Sequence, residues 1–510
     1  MDQSDSFCPI LGLLEFGVCG PGHISMSYNE KGPSSSYPTL PFVSSVPPSY
    51  HDEKVSSPGM NGGRNNNISE KAESMFKSNS WRDLWAAILY YIHLAGVAVI
   101  LGLNASNLTQ LDDGTTYKFN SAVVKGLACI GGSLLVSLVF LTIFLSLVSH
   151  YPESMIKGTF VATIGFMSLL GIGMMVKGAI IIGLIYFFIA GINVFLYFAW
   201  RKRIPFSAVL LKTVIDVMKI YPSTWNLSLV AIFGQTAFLA LYLITSMAII
   251  LKYPLNESGD LPPMEPFDKF SLIYIVFSMY WSNQVVDNVV HTTVCGVFGT
   301  FYFLHGTGAA IVKPVWNSFA RSMTYSFGSI AFGSLIVAII QLIRFLINST
   351  RNERDNAAAA CADCLLNMIE DLVKYFNYYA YVHVAIYGKP YIESGKDTWA
   401  LVKSHGVDVI INDCLIDKCM GVGIFLISIL SATITYIVGT LMSGLHMGLV
   451  ILVTAVSFIV SLLICSVATQ LIGSGSSATL VCYAEDPSAL ERSKPELYRE
   501  ITTAYRGGFF

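Results

Sequence analysis

Residues 445–472 read LHMGLVILVTAVSFIVSLLICSVATQLI, a run of 28 residues without a single Asp, Glu, Lys or Arg. A helix needs about 20 apolar residues to cross the hydrocarbon core of a bilayer. Lipid offers the backbone no hydrogen-bond partner, so a segment of this length and composition is expected to be a membrane-spanning helix. This stretch therefore places the chain in a membrane.

Nine more apolar segments of similar length precede it. They are 84–103, 122–148, 156–176, 178–200, 227–251, a segment within 272–304, 323–347, 357–386 and 421–441. Over the whole chain 54% of residues are hydrophobic and 13% are charged, whereas ordinary globular domains carry roughly 25% charged residues. The expected fold is all-α, a polytopic membrane protein with about ten transmembrane helices.

The two ends of the chain differ in composition from the apolar middle. The first 79 residues are rich in Ser, Pro, Gly and Asn, and such a segment cannot bury enough apolar area to offset the entropy of ordering it. We therefore expect a disordered cytosolic tail at 1–79. The ten-helix domain is expected at 80–472, with a cytosolic connector at 388–420, and a cytosolic C-terminal tail at 473–510.

Lys and Arg concentrate in alternate loops, and this orients the helices because cytoplasmic loops retain these residues. With the amino terminus inside, the inner loops hold the basic run 201–203 and the lysines of 389–418, whereas the outer loops hold fewer basic residues, mostly offset by acids. Both termini are thus expected in the cytosol. Four glycosylation sequons fall on the outer side, which is compatible with a glycoprotein; they are at Asn104, Asn107, Asn256 and Asn348.

Several function classes find no support in the sequence. A net charge of -2 gives no basic surface for nucleic acid. No H-E-x-x-H, G-x-S-x-G or paired catalytic carboxylates are present, so an enzyme is not expected. Cys361 and Cys364 form a C-x-x-C without a second pair or a nearby His. We expect neither a metal site nor a cofactor.

The segment 204–220 has the spacing of an amphipathic helix. Val209, Leu210 and Val217 share a face opposite Lys212 and Lys219. This pattern is typical of a helix lying in the membrane interface. A packed cytosolic connector explains the pattern equally well, and the sequence leaves the two interpretations open.

One membrane segment is unusually polar: 280–302 reads YWSNQVVDNVVHTTVCGVFGTFY. At about 100° per residue, its polar and aromatic side chains gather on one arc. The residues predicted to bind a substrate are Tyr280, Trp281, Gln284, Asp287, Asn288, His291 and Tyr302. Aromatic rings beside an acid suit an alkylammonium ligand, because cation–π attraction replaces part of its hydration.

This polar segment has a second interpretation. Ionisable residues at membrane depth are costly and mark functional sites by default. Asp287 and His291, however, are spaced i,i+4 and can touch, so the alternative is that they pair with each other to hold the helix bundle together. Trp281 and Tyr280 could be interfacial belt residues.

Four separated motifs occur in an order that resembles the choline transporter-like family. They are VVDNVVHTTVCGVFGTFYF at 285–303, SFGSIAFGSL at 326–335, YYAYVHVAIYGKPYIESGKDTWAL at 378–401 followed by INDCLI, and TLVCYAEDP at 479–487. The wording of GKPY and INDCLI is most similar to the fungal branch of that family. Asn288, His291, Gly296 and Tyr302 match the family pattern, whereas Phe301 stands where Trp is usual and Asp287 where a basic residue is common.

The resemblance implies a ten-helix plasma-membrane transporter with both termini inside and, for some members, transport of choline or ethanolamine. Together with the polar segment it predicts a transporter of a small solute, a quaternary or primary ammonium such as choline. The competing class is a membrane scaffold or a lipid scramblase without a solute site. An enclosed cavity would favour solute transport, and a polar groove open to the bilayer would favour lipid movement.

Overall fold

The structure, a computed structural model, describes residues 80–111, 121–253, 262–305, 312–349, 356–442 and 446–509. These residues form α-helices with one short 3-10 helix at Ala105–Leu111, and no strand occurs among them. The all-α prediction is confirmed. The helices are α1 Leu84–Asn104, α2 Ser121–His150, α3 Pro152–Val176, α4 Ile180–Trp200, α5 Ile204–Ile220, α6 Ser223–Ile250, α7 Pro266–Leu304, α8 Pro314–Met323, α9 Phe327–Ser349, α10 Asn356–Tyr387, α11 Tyr391–Leu441, α12 Met447–Glu485, α13 Pro487–Ser493 and α14 Pro495–Phe509.

Eight of the helices in the described part of the chain are long and apolar enough to cross a membrane. They include parts or all of α1, α2, α3, α4, α6, α9, α11 and α12. The two other segments of the predicted ten coincide with α7 and α10, which are 39 and 32 residues long. These two helices carry more polar side chains, so length supports the count of about ten while hydropathy alone gives eight.

Helix α7 lies at the centre of the bundle, where it packs against α6, α8, α9, α10 and α12. Small residues allow the close crossings, as is common between membrane helices. A Cβ placed on Gly475 of α12 would lie 2.5 Å from the ring of Phe298, and one on Gly296 would lie 2.6 Å from Ser318 Oγ on α8. The C-terminal half of α7 is thus closely packed among its neighbours.

Two helices extend beyond their predicted boundaries. The apolar span of α11 begins at Val409 rather than at 421, inside the segment expected to be a cytosolic connector. Helix α12 continues past Ile472 to Glu485, and most residues between Ser474 and Cys482 are buried. Charged and small polar residues interrupt the apolar pattern at both places, although the helical backbone continues through them.

Helix α5 is packed into the protein rather than laid on its surface. Eleven of its residues are buried, including Lys212's neighbours Leu211 and Thr213. It contacts α3, α11, α12 and the C-terminal α14. Of the two interpretations left open by the sequence, the packed connector fits the structure.

Two predictions concern residues outside the described part of the chain, namely the N-terminal tail 1–79 and the sequon at Asn256. Among the described sequons, Asn104 is buried and donates to the carbonyl of Ile100 at 3.0 Å. Asn107 donates to the carbonyl of Ala248 at 2.9 Å. Asn348 is exposed, so it is the more accessible acceptor of these three.

Candidate functional site

The seven residues predicted to bind a substrate lie on α7, and their side chains point to several neighbouring helices. Asp287 faces α6, where its carboxylate accepts a hydrogen bond from Gln235 Nε2 at 2.5 Å. Asn288 faces α9 and donates from Nδ2 to Ser334 Oγ at 2.9 Å. Both side chains are half-buried. Helix α7 therefore distributes its polar contacts around its circumference.

Trp281 and Tyr302 are almost fully buried, and their polar atoms are bonded to backbone carbonyls. Trp281 Nε1 donates to the carbonyl of Ala331 at 3.0 Å, and the Tyr302 hydroxyl donates to the carbonyl of Asp486 at 2.9 Å. Satisfying a buried donor avoids a desolvation cost of about 1–3 kcal/mol. These contacts hold α7 against its neighbours.

His291 is buried between α10 and α12. Its Nε2 lies 2.8 Å from the carbonyl of Tyr378 and its Nδ1 lies 2.8 Å from Ser474 Oγ. A carbonyl only accepts, so Nε2 is the donor. Asp287 and His291 do not pair with each other, because each finds its partner on a different helix.

Tyr280 and Gln284 are half-buried. Tyr280 packs at the edge of the apolar cluster around Trp281. Close to Gln284, the backbone carbonyl of Asp287 accepts a hydrogen bond from Gln470 Nε2 on α12 at 3.3 Å. The middle of α7 thus carries accessible polar groups, whereas each side chain from 289 to 304 is buried.

Beside this part of α7, side chains from α10 and α11 form a cluster that we call the acidic recess: Tyr375, Tyr378, Asp413 and Asp417. Asp413 Oδ2 accepts hydrogen bonds from the hydroxyls of Tyr375, at 3.2 Å, and of Tyr379. Asp417 lies one helical turn further along α11 and interacts electrostatically with Asp413. The recess combines two carboxylates with aromatic walls.

The carboxylates of the acidic recess are open to solvent to different degrees. Asp413 is half-buried and Asp417 is exposed. Tyr378 is half-buried as well. A small cation can therefore reach the carboxylate of Asp417.

Two basic side chains, on α9 and α10, are paired with another acid. Lys374 Nζ lies 2.6 Å from Glu370 Oε1, and Arg344 Nη1 lies 2.6 Å from Glu370 Oε2. Asp413 is bound by tyrosine hydroxyls instead. Lys418, the residue after Asp417, bonds to Asn193 Oδ1 and lies 4.1 Å from the centroid of the Phe160 ring. The two carboxylates of the recess attract a cation. Among the described residues, no group of three or more His, Cys, Asp or Glu side chains is arranged to hold a metal ion.

The acidic recess links directly to the predicted segment of α7. The imidazole of His291 is stacked on the ring of Tyr378, with centroids 4.0 Å apart. Tyr378 also reaches α12, because its hydroxyl lies 2.8 Å from the position of a Cβ on Gly473. Tyr378 thus joins α7, α10 and α12 at the recess.

Sequence reasoning missed Asp413 and Asp417. The sequence predicts a cytosolic connector at 388–420 and no functional role for its acids. Two signals were present in the sequence: the i,i+4 spacing of the two acids, and the same spacing of Tyr375 and Tyr379. Each spacing places both members of its pair on one helix face, but nothing in the sequence brings the two faces together.

These features define the class of this protein: it is a multi-pass α-helical membrane protein with accessible polar groups at the centre of its helix bundle. Residues 184–488 match the family described as plasma-membrane choline transporter. The chain belongs to that choline transporter-like family, and the resemblance seen in the motifs is confirmed.

Curated relatives match most of the chain. Protein PNS1 of Gibberella zeae is 32% identical over 466 residues, which cover 87% of this chain and 86% of the relative. Protein PNS1 of Mycosarcoma maydis is 34% identical over 408 residues, covering 77% and 75%. A CTL-like protein of Dictyostelium discoideum is 29% identical over 444 residues, covering 85% and 77%.

Proposed function

We propose that this protein transports a small organic cation, choline or a related ammonium compound, and that the acidic recess binds the cation. The observation that carries the proposal is the pair of neighbouring carboxylates Asp413 and Asp417, which lies beside Tyr375 and Tyr378. The family's description as a plasma-membrane choline transporter supports the same substrate class.

The chemistry of the recess suits an ammonium group. Two carboxylates spaced i,i+4 on a helix repel each other, and a bound cation would offset that repulsion. Tyrosine rings attract a quaternary ammonium by cation–π interaction, which contributes about 0.5–2 kcal/mol per ring. Asp413 already receives two hydroxyl donors, so Asp417 is the carboxylate left to face the cation.

The seven predicted residues take two roles in this proposal. Tyr280, Gln284, Asp287 and Asn288, which are half-buried, line the path towards the recess. Trp281, His291 and Tyr302, whose polar atoms are bonded within the protein, hold α7 in position. Alternating access would then require α7 and its partners to move around the recess.

Uptake of labelled choline and ethanolamine into proteoliposomes containing the purified protein tests the proposal. Asp417→Asn removes one charge while keeping the shape of the side chain, and uptake should fall at least about tenfold, the effect of about 1.4 kcal/mol. Glu153→Gln is the matched control, because Glu153 is exposed on α3, where it pairs with Lys157 at 2.6 Å. Equal uptake by Asp417→Asn and wild type would overturn the cation site.

Lipid scrambling is the competing function, and the same vesicles test it with a labelled phospholipid. A groove of about 200 Å³ lies between α2 and α11. Its lining, which includes Ala128, Gly132, Val136 and Val438, is mostly apolar, so it offers no hydrophilic track for a headgroup. We expect no scrambling above protein-free vesicles; scrambling without cation uptake would replace the transport proposal.

We also propose a plasma-membrane location with both termini in the cytosol. The distribution of Lys and Arg supports this orientation, and the family description supports the membrane. An epitope tag at either terminus should be reached by antibody only after cells are permeabilised. Staining of intact cells would show that the tagged terminus lies outside the cell and would overturn the proposed orientation.

A further inference from the structure

The C-terminal half of α7 is buried on all sides. Every side chain from Val289 to Leu304 is buried, and exposure returns only at His305. The accessible polar groups of α7 lie before this stretch. Any path from the acidic recess along α7 is therefore closed at this end in the state that the structure shows.

A short C-terminal segment completes this seal, and we call it the C-terminal clamp: residues 487–509, comprising α13 and α14. Helix α13 packs against the end of α7. Just before it, the carbonyl of Asp486 accepts a hydrogen bond from the Tyr302 hydroxyl at 2.9 Å, and Ser493 Oγ donates back to the carbonyl of Tyr302 at 3.3 Å. The two segments bind each other reciprocally.

Lys494 makes the strongest of these contacts. Its Nζ donates to the carbonyl of Phe301 at 2.8 Å and to that of His305 at 3.1 Å, and it lies 4.2 Å from the centroid of the Phe301 ring. The last carbonyls of a helix lack intrahelical donors and carry partial negative charge, so a cation placed there is stabilising. Lys494 thus caps the C-terminal end of the central helix.

The ammonium of Lys494 is charged at neutral pH. Burial lowers the pKa of Lys494 to about 8, because desolvation disfavours the charged form. The charge-assisted hydrogen bonds to α7 are therefore present at pH 7.

The C-terminal clamp also packs against a second element, helix α5. Helix α14 packs against α5, where the rings of Phe206 and Tyr505 lie 5.5 Å apart. Helix α5 in turn contacts α3, α11 and α12, and α11 carries the acidic recess. The clamp therefore connects the end of α7 to the helices on the other side of the recess.

We propose that the C-terminal clamp is the closure at this end of the path, and that Lys494 is the positioning residue that fastens it to α7. Release of Lys494 frees the last turn of α7 and lets the buried stretch 289–304 separate from its neighbours. The contact itself does not depend on what is transported; only its consequence for uptake rests on the proposed function.

Hydrogen–deuterium exchange of the full-length protein in detergent tests the clamp directly. In Lys494→Ala, amides of 298–305 should exchange about tenfold faster than in wild type, because loss of charge-assisted hydrogen bonds shifts a local opening equilibrium by about that factor. Lys494→Arg, which keeps the charge, should restore slow exchange. Arg499→Ala is the matched control, since Arg499 is an exposed cation of the same segment.

A second variant guards against loss of folding. Tyr302→Phe removes only the hydroxyl that bonds Asp486. Exchange at 298–305 should also accelerate in this variant. Its overall melting temperature should stay close to that of wild type, which shows that the variant is folded. Unchanged exchange at 298–305 in both variants would overturn the clamp. With the clamp released, uptake of labelled choline should rise about twofold or more, because an opening step of this kind commonly limits turnover. If the variants exchange faster but the wild-type protein takes up no cation, the transport proposal is refuted and the clamp is still supported.

Discussion

The imidazole of His291 lies flat on the ring of Tyr378, with centroids 4.0 Å apart, while its Nε2 donates to the backbone carbonyl of the same tyrosine at 2.8 Å. One residue of the central helix therefore fixes both the backbone and the ring of a residue in the acidic recess. Ser474 holds the opposite nitrogen of the imidazole at 2.8 Å. This arrangement makes His291 a positioning residue for Tyr378.

Replacing His291 should therefore disturb the recess without removing any of its groups. His291→Phe keeps a stacked ring but loses both hydrogen bonds, at a cost of about 1–3 kcal/mol for each buried group left unpaired. We expect a lower melting temperature and a higher KM for choline uptake. His150→Phe is the control, because His150 is exposed at the end of α2. A His291→Phe protein with wild-type KM would show that the hydrogen bonds do not position Tyr378.

Gly473 gives an independent test of the position of Tyr378. A Cβ on Gly473 would lie 2.8 Å from the Tyr378 hydroxyl, closer than ordinary van der Waals contact, and the stacked ring has little freedom to retreat. Gly473→Ala should cost about 1–3 kcal/mol from overpacking and reduce uptake. Thermal unfolding and uptake measure the two effects.

Gly131 on α2 is the matched control for this substitution. A Cβ there would meet nothing within 4 Å, so Gly131→Ala should be neutral or should stabilise the helix by about 0.5–1 kcal/mol. If both alanine variants behaved alike, crowding at Tyr378 would not explain the effect of Gly473→Ala.

Much of the fold could be predicted from the sequence, because membrane-spanning helices consist of long apolar runs of residues. From Met447 onward the run 445–472 lies within α12, and the polar segment 280–302 lies within α7. The partners of that segment could not be predicted, since Gln235, Ser334 and Ser474 reach α7 from helices distant in sequence. The helical period says which face a residue occupies, but not which helix that face meets.

The acidic recess shows where this kind of prediction fails. Asp413 and Asp417 interrupt the apolar pattern at the start of the span of α11, and charges in such a position are typical of a cytosolic loop. Asp413 instead packs against α10, because the hydroxyls of Tyr375 and Tyr379 bond to its carboxylate.

A cluster at the opposite end of α7 offers a test of pH dependence. The carboxylate of Asp268 is buried and accepts hydrogen bonds from the Tyr253 hydroxyl at 2.5 Å and from Lys252 Nζ at 2.9 Å. The Tyr253 hydroxyl, together with Lys252, lowers the pKa of Asp268 below its usual value. The cluster ties the end of α6 to the beginning of α7.

A depressed carboxyl pKa contributes stability that is present above the unfolded pKa, about 3.9 for Asp, and is lost as the pH falls through the folded pKa. Asp268→Asn should therefore melt several degrees below wild type at pH 7, and the gap should close as the pH is lowered towards 3. Asp216→Asn is the control, because Asp216 is 46% exposed in its pair with Lys219 and exposed pairs contribute little. Melting curves of the three proteins across this pH range measure the effect. A gap that stays constant down to pH 3 would mean that the charge of Asp268 does not stabilise the junction between α6 and α7.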